Sequence, residues 1–157
     1  MSEPKHRFLY RRRVEFADTD TAGIMHFSNF FRFMEVTEHA FLRSLGLSVH
    51  PADTASEPQV GWPRVHASAD YRLPLRFEEE VEVELLIEKI DSRTMTYFFQ
   101  FWKNPDEEEA RALSATGRIT VVCVNIHPDT GDMKAVAVPP EFSNLIEIAP
   151  SELLNGA

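Results

Sequence analysis

From residue 80 to residue 88 the chain alternates with a period of two, Val81, Val83, Leu85 and Ile87 opposing Glu80, Glu82, Glu84 and Glu88. That pattern predicts a strand with one buried face and one wet face. Weaker versions of it recur on either side. In residues 9–16, Tyr10, Val14 and Phe16 oppose Arg11, Arg13 and Glu15, with Arg12 breaking the period. Further on, Val65, Ala67, Ala69 and Tyr71 oppose His66, Ser68, Asp70 and Arg72. Residues 95–102 and 110–126 extend the series, separated by a turn-rich run containing Asn104, Pro105 and Asp106. The second of these is too long to stay straight, and a bend or bulge is expected at Gly117. A turn at residues 127–132, with Pro128 and Gly131, leads to a last strand over 133–138 that Pro139 and Pro140 stop.

Residues 28–45 follow a different period. Phe30, Phe31, Met34, Phe41 and Leu45 recur at helical spacing, and Phe33 and Leu42 widen the apolar surface. The pattern predicts a largely buried helix whose polar residues, Arg32, Glu35, Glu38, His39 and Arg43, keep a narrow stripe for solvent or a partner subunit, and which Gly46 ends. Residues 48–63 hold Pro51, Pro58, Gly61 and Pro63 without a sustained period and read as a long loop. The order is therefore a strand, one helix, a loop, then four or five antiparallel strands. A sheet with one apolar face and a helix apolar on most sides bury each other if the sheet wraps the helix, although other antiparallel α+β folds also fit the periods.

Composition narrows the function. The 157 residues include 12 Phe, enough for one core, and a single domain over 1–157 is expected. A net charge of -9 speaks against a general nucleic-acid binder, which needs a basic surface to neutralise phosphates. With Cys123 as the lone cysteine, neither an internal disulfide nor a multi-cysteine zinc site can form, and a reducing cytoplasm fits. No apolar run is long enough for a membrane span and the charged start lacks the apolar core of a signal peptide, so no membrane partner is expected.

Residues 14–35 carry the chemistry. They contain Asp18-Thr19-Asp20, Ala22-Gly23-Ile24, then His26, Phe27 and Asn29-Phe30-Phe31. The stretch closely resembles the signature of the 4-hydroxybenzoyl-CoA thioesterase family, and the resemblance runs on through Tyr71, Leu73, Pro74 and Leu75 to Ala137-Val138-Pro139. It implies the hotdog fold, an antiparallel sheet wrapped around one long helix. It implies an acyl-CoA thioesterase without a cofactor or a metal, working as a homodimer or a dimer of dimers with the site at the interface. Asp20 corresponds to the catalytic carboxylate, nucleophile or general base, and the backbone amide of Phe27 to the donor facing the thioester carbonyl. Gly23 and Ile24 form the turn beneath the substrate. The family often carries an aromatic hydroxyl where Phe27 stands, and His26 is the polar group that can substitute. Arg93 and Lys134 fall where the family places cations that meet the phosphates of CoA.

Elementary chemistry agrees with that assignment, since thioester hydrolysis needs a base or nucleophile on one side of the carbonyl and oxyanion donors on the other. Taken alone, Asp18 and Asp20 before a helix would read as turn and capping residues, and Asp18 keeps that reading. Asp18, Asp20 and His26 match no metal motif. Glu35 reads as part of an ion-paired helix face, His39 and His66 as ordinary histidines, and Cys123 as a small buried apolar residue. The competing functions are a thioesterase acting on acyl carrier protein or on an aromatic quinone-precursor CoA ester, and a non-catalytic acyl-CoA-binding hotdog protein.

Overall fold

The computed structural model describes residues 3–49 and 59–155. Strand β1 (Arg7–Arg13) leads through a 3₁₀ turn at Phe16–Asp18 to helix α1 (Asn29–Ser44). Then come β2 (Gln59–Gly61), β3 (Arg64–Tyr71), β4 (Glu80–Ile90), β5 (Thr94–Lys103), β6 (Ala112–Val122), β7 (Val124–Ile126) and β8 (Met133–Ala135), followed by the short helices α2 (Pro140–Ser143) and α3 (Ser151–Asn155). Five strands form one antiparallel sheet in the order β1-β4-β5-β6-β3, and β2-β7-β8 form a second, smaller one. The inner residues of β4 and β5, including Leu85 opposite Phe99 and Val83 opposite Phe101, join Phe30, Phe33, Met34 and Phe41 of α1 in one core. A sheet wrapped on one helix is the architecture that the family resemblance implies.

Several local expectations need correction. The first strand ends at Arg13 rather than running to residue 16, and Phe16 is 78% exposed in the turn. Arg12 does not break the period. It continues the Phe8 and Tyr10 side, where its guanidinium lies 4.4 Å from the Phe33 ring centre, because a cation can cover an aromatic face while keeping water contact. Glu38, expected on the polar stripe, is buried at 1% exposure, with Arg64 of β3 3.1 Å away.

The glutamate face of β4 is wet only in part. Glu84 is buried beneath Arg7 and accepts a hydrogen bond from Trp102 Nε1 at 3.2 Å. Next to it, Leu86 and Phe98 form a second apolar cluster with Ala149, covered by Leu153 and Leu154 of α3. The chain's end thus covers part of the outer face of the sheet.

Residues 110–126 break into β6 and β7 at Cys123, not at Gly117. Gly117 pairs regularly with Phe99, and its missing side chain serves packing: a Cβ there would stand 2.4 Å from Met34 Sδ and 3.0 Å from the Ser68 carbonyl. Cys123 is buried, as expected, and burial pushes its thiol pKa up. Strand β8 stops at Ala135, three residues short of the expectation. Of the expected 48–63 loop, residues 50–58 lie outside the described residues, and Gln59–Gly61 is a strand. Gly46, at φ +76°, ends α1 as expected, with Leu47 N–H bonded to the Leu42 carbonyl at 2.9 Å. Among the described residues no helix is long and apolar enough to cross a membrane.

Candidate active site

The segment between the 3₁₀ turn and α1 folds back on itself. Asp20 N–H donates to the Ile24 carbonyl at 2.9 Å and Gly23 N–H to the Asp20 carbonyl at 3.0 Å, with Gly23 at φ +76°, a conformation that favours glycine. Asp20 Oδ1 accepts the Ala22 N–H at 2.8 Å, which fixes the carboxylate over its own turn. Its other oxygen has no partner among the described residues. Asp18 takes the structural role: Oδ2 accepts the Glu15 N–H at 2.8 Å, and its carbonyl accepts both the His26 N–H and Asn29 Nδ2, each at 2.8 Å. One aspartate therefore ties the turn to the helix start and the other remains available.

A cleft of about 390 Å³ opens at this point. Asp20, Ile24, Met25, Phe27 and Phe30 form one wall, and residues 71–74, at the end of β3, form the other. Phe27 N–H donates to no group among the described residues, so a free backbone donor and a carboxylate border the same cleft at the start of a 16-residue helix. The dipole of that helix favours a negative charge forming there.

Tyr71 was not singled out as a site residue from the sequence. Its hydroxyl donates to the Phe27 carbonyl at 2.9 Å and its ring meets Phe30 edge to face at 5.0 Å. An aromatic hydroxyl is thus present at the cleft, delivered by β3 instead of by the helix start. Partial burial pushes the phenol pKa up from its ordinary value. Its signal was an aromatic residue at the end of an edge strand just before Pro74, which by itself reads only as a strand end.

Other predicted residues are placed differently. His26 does not line the cleft; its Nδ1 lies 2.8 Å from Ser28 Oγ and its ring 4.5 Å from that of Phe27. Glu35 stands 3.8 Å from Arg64, in the ion-paired helix face expected for it. Arg93 and Lys134 are exposed and remote from Asp20 within one chain. The Arg93 carbonyl accepts from Cys123 N–H beyond the end of β6, whereas Tyr71 pairs with Ala115, eight residues and roughly 26 Å back along the chain. Lys134 lies in β8 at the same far end. Among the described residues no group of three His, Cys, Asp or Glu side chains is placed to hold a metal ion.

The chain is similar to known proteins over most of its length. The thioesterase-like superfamily matches residues 14–146. A 1,4-dihydroxy-2-naphthoyl-CoA hydrolase of Prochlorococcus marinus (strain MIT 9313) is 35% identical over 103 residues, 62% of this chain and 68% of that protein. The crystal structure of a 1,4-dihydroxy-2-naphthoyl-CoA thioesterase from Synechocystis superposes with a TM-score of 0.76 at 26% identity, covering 89% of this chain and 95% of that one. A mutant 4-hydroxybenzoyl-CoA thioesterase complexed with 4-hydroxybenzoyl-CoA shares the fold, with a TM-score of 0.77 at 18% identity over 91% and 100% of the two chains.

Proposed function

The chain belongs to the thioesterase-like superfamily and is a thioester hydrolase, and from that premise we propose that it cleaves an aromatic acyl-CoA with Asp20 as the catalytic carboxylate. The observation that carries the reading is the cleft that brings Asp20, with one oxygen unpartnered among the described residues, together with the Phe27 N–H at the start of α1, which donates to no group among them.

In the general-base version, Asp20 takes a proton from water as its oxygen attacks the thioester carbonyl. The carbonyl oxygen gains the negative charge, which the Phe27 amide and the helix dipole stabilise. Collapse restores the carbonyl, breaks the C–S bond and expels CoA as the thiolate, a leaving group that needs little protonation. In the nucleophile version Asp20 forms a mixed anhydride first and water cleaves it. Incubation in ¹⁸O-labelled water under single-turnover conditions separates the two, because only the anhydride route can put the label into Asp20.

An aromatic acyl group suits the apolar wall of Phe27, Phe30 and Tyr71, since planar rings stack or pack edge to face on such side chains. The relatives named as 1,4-dihydroxy-2-naphthoyl-CoA hydrolases make that bicyclic ester the first substrate to assay. A panel of aromatic and aliphatic acyl-CoA esters read by thiol release tests the class. Asp20→Asn is expected to lower kcat at least ~100-fold with the fold retained, and Asp18→Asn to do less. Turnover near that of the wild type in Asp20→Asn would remove the assignment.

The same reading includes a homodimer, because β3 is an edge strand and carries Val65 and Tyr71 exposed. A stable, active monomer in sedimentation would refute that part.

A further inference from the structure

The cleft at Asp20 holds one cation that the hydrolysis itself does not use. Of the described residues lining it, Asp20 and Arg72 are the two with a charge, and the rest of the wall is apolar apart from the Tyr71 hydroxyl, which the Phe27 carbonyl engages. The opposite charges do not close on each other. Among the described residues the Arg72 side chain forms neither an ion pair nor a hydrogen bond, and the Asp20 carboxylate bonds only within its own turn, to the Ala22 N–H.

Strand alternation does not account for an arginine in this wall. With a period of two, the side chain after Tyr71 points to the opposite face of the sheet. Here the N–H groups of Arg72 and Leu73 both donate to the Ser114 carbonyl, at 2.8 and 3.0 Å, so two residues oppose one residue of β6. Such a bulge re-aims side chains at a sheet edge, and β3 is an edge strand. Tyr71 and Arg72 consequently line the same cleft. The irregular backbone is pinned. Ser114 Oγ donates to the Leu73 carbonyl and Lys103 Nζ to the Pro74 carbonyl, each at 2.7 Å, so the cation stands on a fixed wall.

We propose that Arg72 determines acyl specificity, selecting an aromatic acyl group whose ring carries an anionic oxygen group, a carboxylate or an ionised hydroxyl. The inference rests on the thioesterase reading of the Asp20 cleft and names the substrate class within it. Pantetheine is a neutral arm that carries the phosphates of CoA far from the sulfur, so an anion held beside the thioester belongs to the acyl group. Opposite charges in one cleft also orient such a substrate. Asp20 repels the anion on the ring and Arg72 attracts it, which leaves the thioester carbonyl as the part beside Asp20 and the Phe27 N–H. A carboxylate takes two parallel N–H bonds from a guanidinium, and the apolar wall strengthens them by excluding water. A neutral ring gains neither the bonds nor the orientation.

The test compares carboxybenzoyl-CoA with its neutral carbamoyl isostere, and hydroxybenzoyl-CoA with its methoxy analogue, in the meta and para series. For at least one pair, wild-type kcat/KM should favour the anionic member by at least ~30-fold, and Arg72→Met should shrink that ratio at least ~10-fold. The pair that shows the preference identifies carboxylate or hydroxyl as the group read. Arg72→Glu should turn the preference towards aminomethylbenzoyl-CoA, a reversal that a purely structural role would not produce. Should the charge reversal prevent folding, Arg72→Met, a change at an exposed side chain, carries the comparison. The same ratios should hold on pantetheine esters, which lack the phosphates. A wild type indifferent to the charge on the ring would overturn the proposal while leaving the thioesterase intact. So would a loss in Arg72→Met that is equal for charged and neutral rings and vanishes on pantetheine esters, since the arginine would then meet the carrier. Hydrolysis of none of the esters would overturn the thioesterase reading as well.

Discussion

Glu38 should make the protein less stable as the pH rises, and Glu38→Gln should remove that dependence. The carboxyl is 1% exposed on the inner side of α1, and burial pushes its pKa from 4.5 up to about 7. Arg64 pulls the other way. Its Nη2 lies 3.1 Å from Glu38 Oε2, yet that oxygen receives no aligned hydrogen bond, and Arg64 is shared with the Trp62 carbonyl at 3.2 Å and with Glu35 at 3.8 Å. Beneath Glu38, the phenol of Tyr97 is buried and its pKa is pushed far up by burial and by the carboxylate. The partly buried His39, on the same helix, is held below its usual range by burial and by the cations Arg64 and Arg43, against Glu35.

A carboxyl that binds its proton more tightly when folded loses stability as the pH climbs from the unfolded pKa to the folded one. The loss is absent below about 4.5, grows between 4.5 and about 7, and is complete above. At 1.36 kcal/mol per pH unit the full effect is about 3 kcal/mol, an order-of-magnitude figure. For a chain of this length that corresponds to a Tm difference of roughly 6–12 °C. The assay is denaturant or thermal unfolding of wild type and Glu38→Gln at pH 5 and pH 8, at one fixed protein concentration because association would add stability. The variant should gain on the wild type by most of that amount between the two pH values. A gap that stays constant, or one that moves in favour of the wild type at pH 8, would show that the Arg64 pair outweighs burial and would refute the reasoning.

Tyr71→Phe deletes one hydrogen bond to the Phe27 carbonyl, worth about 1 kcal/mol, and loosens the peptide next to the proposed oxyanion donor. The expected result is a kcat lowered by up to ~10-fold with Tm within a few degrees of the wild type; an unchanged kcat would remove Tyr71 from the site. Gly117→Ala forces a methyl group to 2.4 Å from Met34 Sδ and should destabilise by about 1–3 kcal/mol in denaturant unfolding. Combining it with Met34→Ala should cost less than the sum of the two single changes, and simple additivity would show that the two positions do not compete for the same space.

The sequence by itself determined the order of the long elements from β1 through α1 to β6, the apolar stripe of α1, the stop at Gly46 and the alternation of β4, because each is set by neighbours within a few residues. It also carried the motif around Asp20, whose turn closes on hydrogen bonds no more than four residues apart. Tertiary structure decided what covers each face. Period two says that Glu84 and Leu86 share a side of β4, but only the path of the chain's end shows that α3 closes over Leu86 while Arg7 and Trp102 close over Glu84. Glu38 reads as a solvent residue until Arg64, 26 positions later, turns it into half of a buried pair. Gly117 reads as a bend until Met34 of α1 occupies the space its side chain would need. The second wall of the cleft, with Tyr71 against Phe27, joins residues 44 positions apart. Periodicity records which faces are apolar, whereas the partner of each face is chosen by contacts that no local spacing encodes.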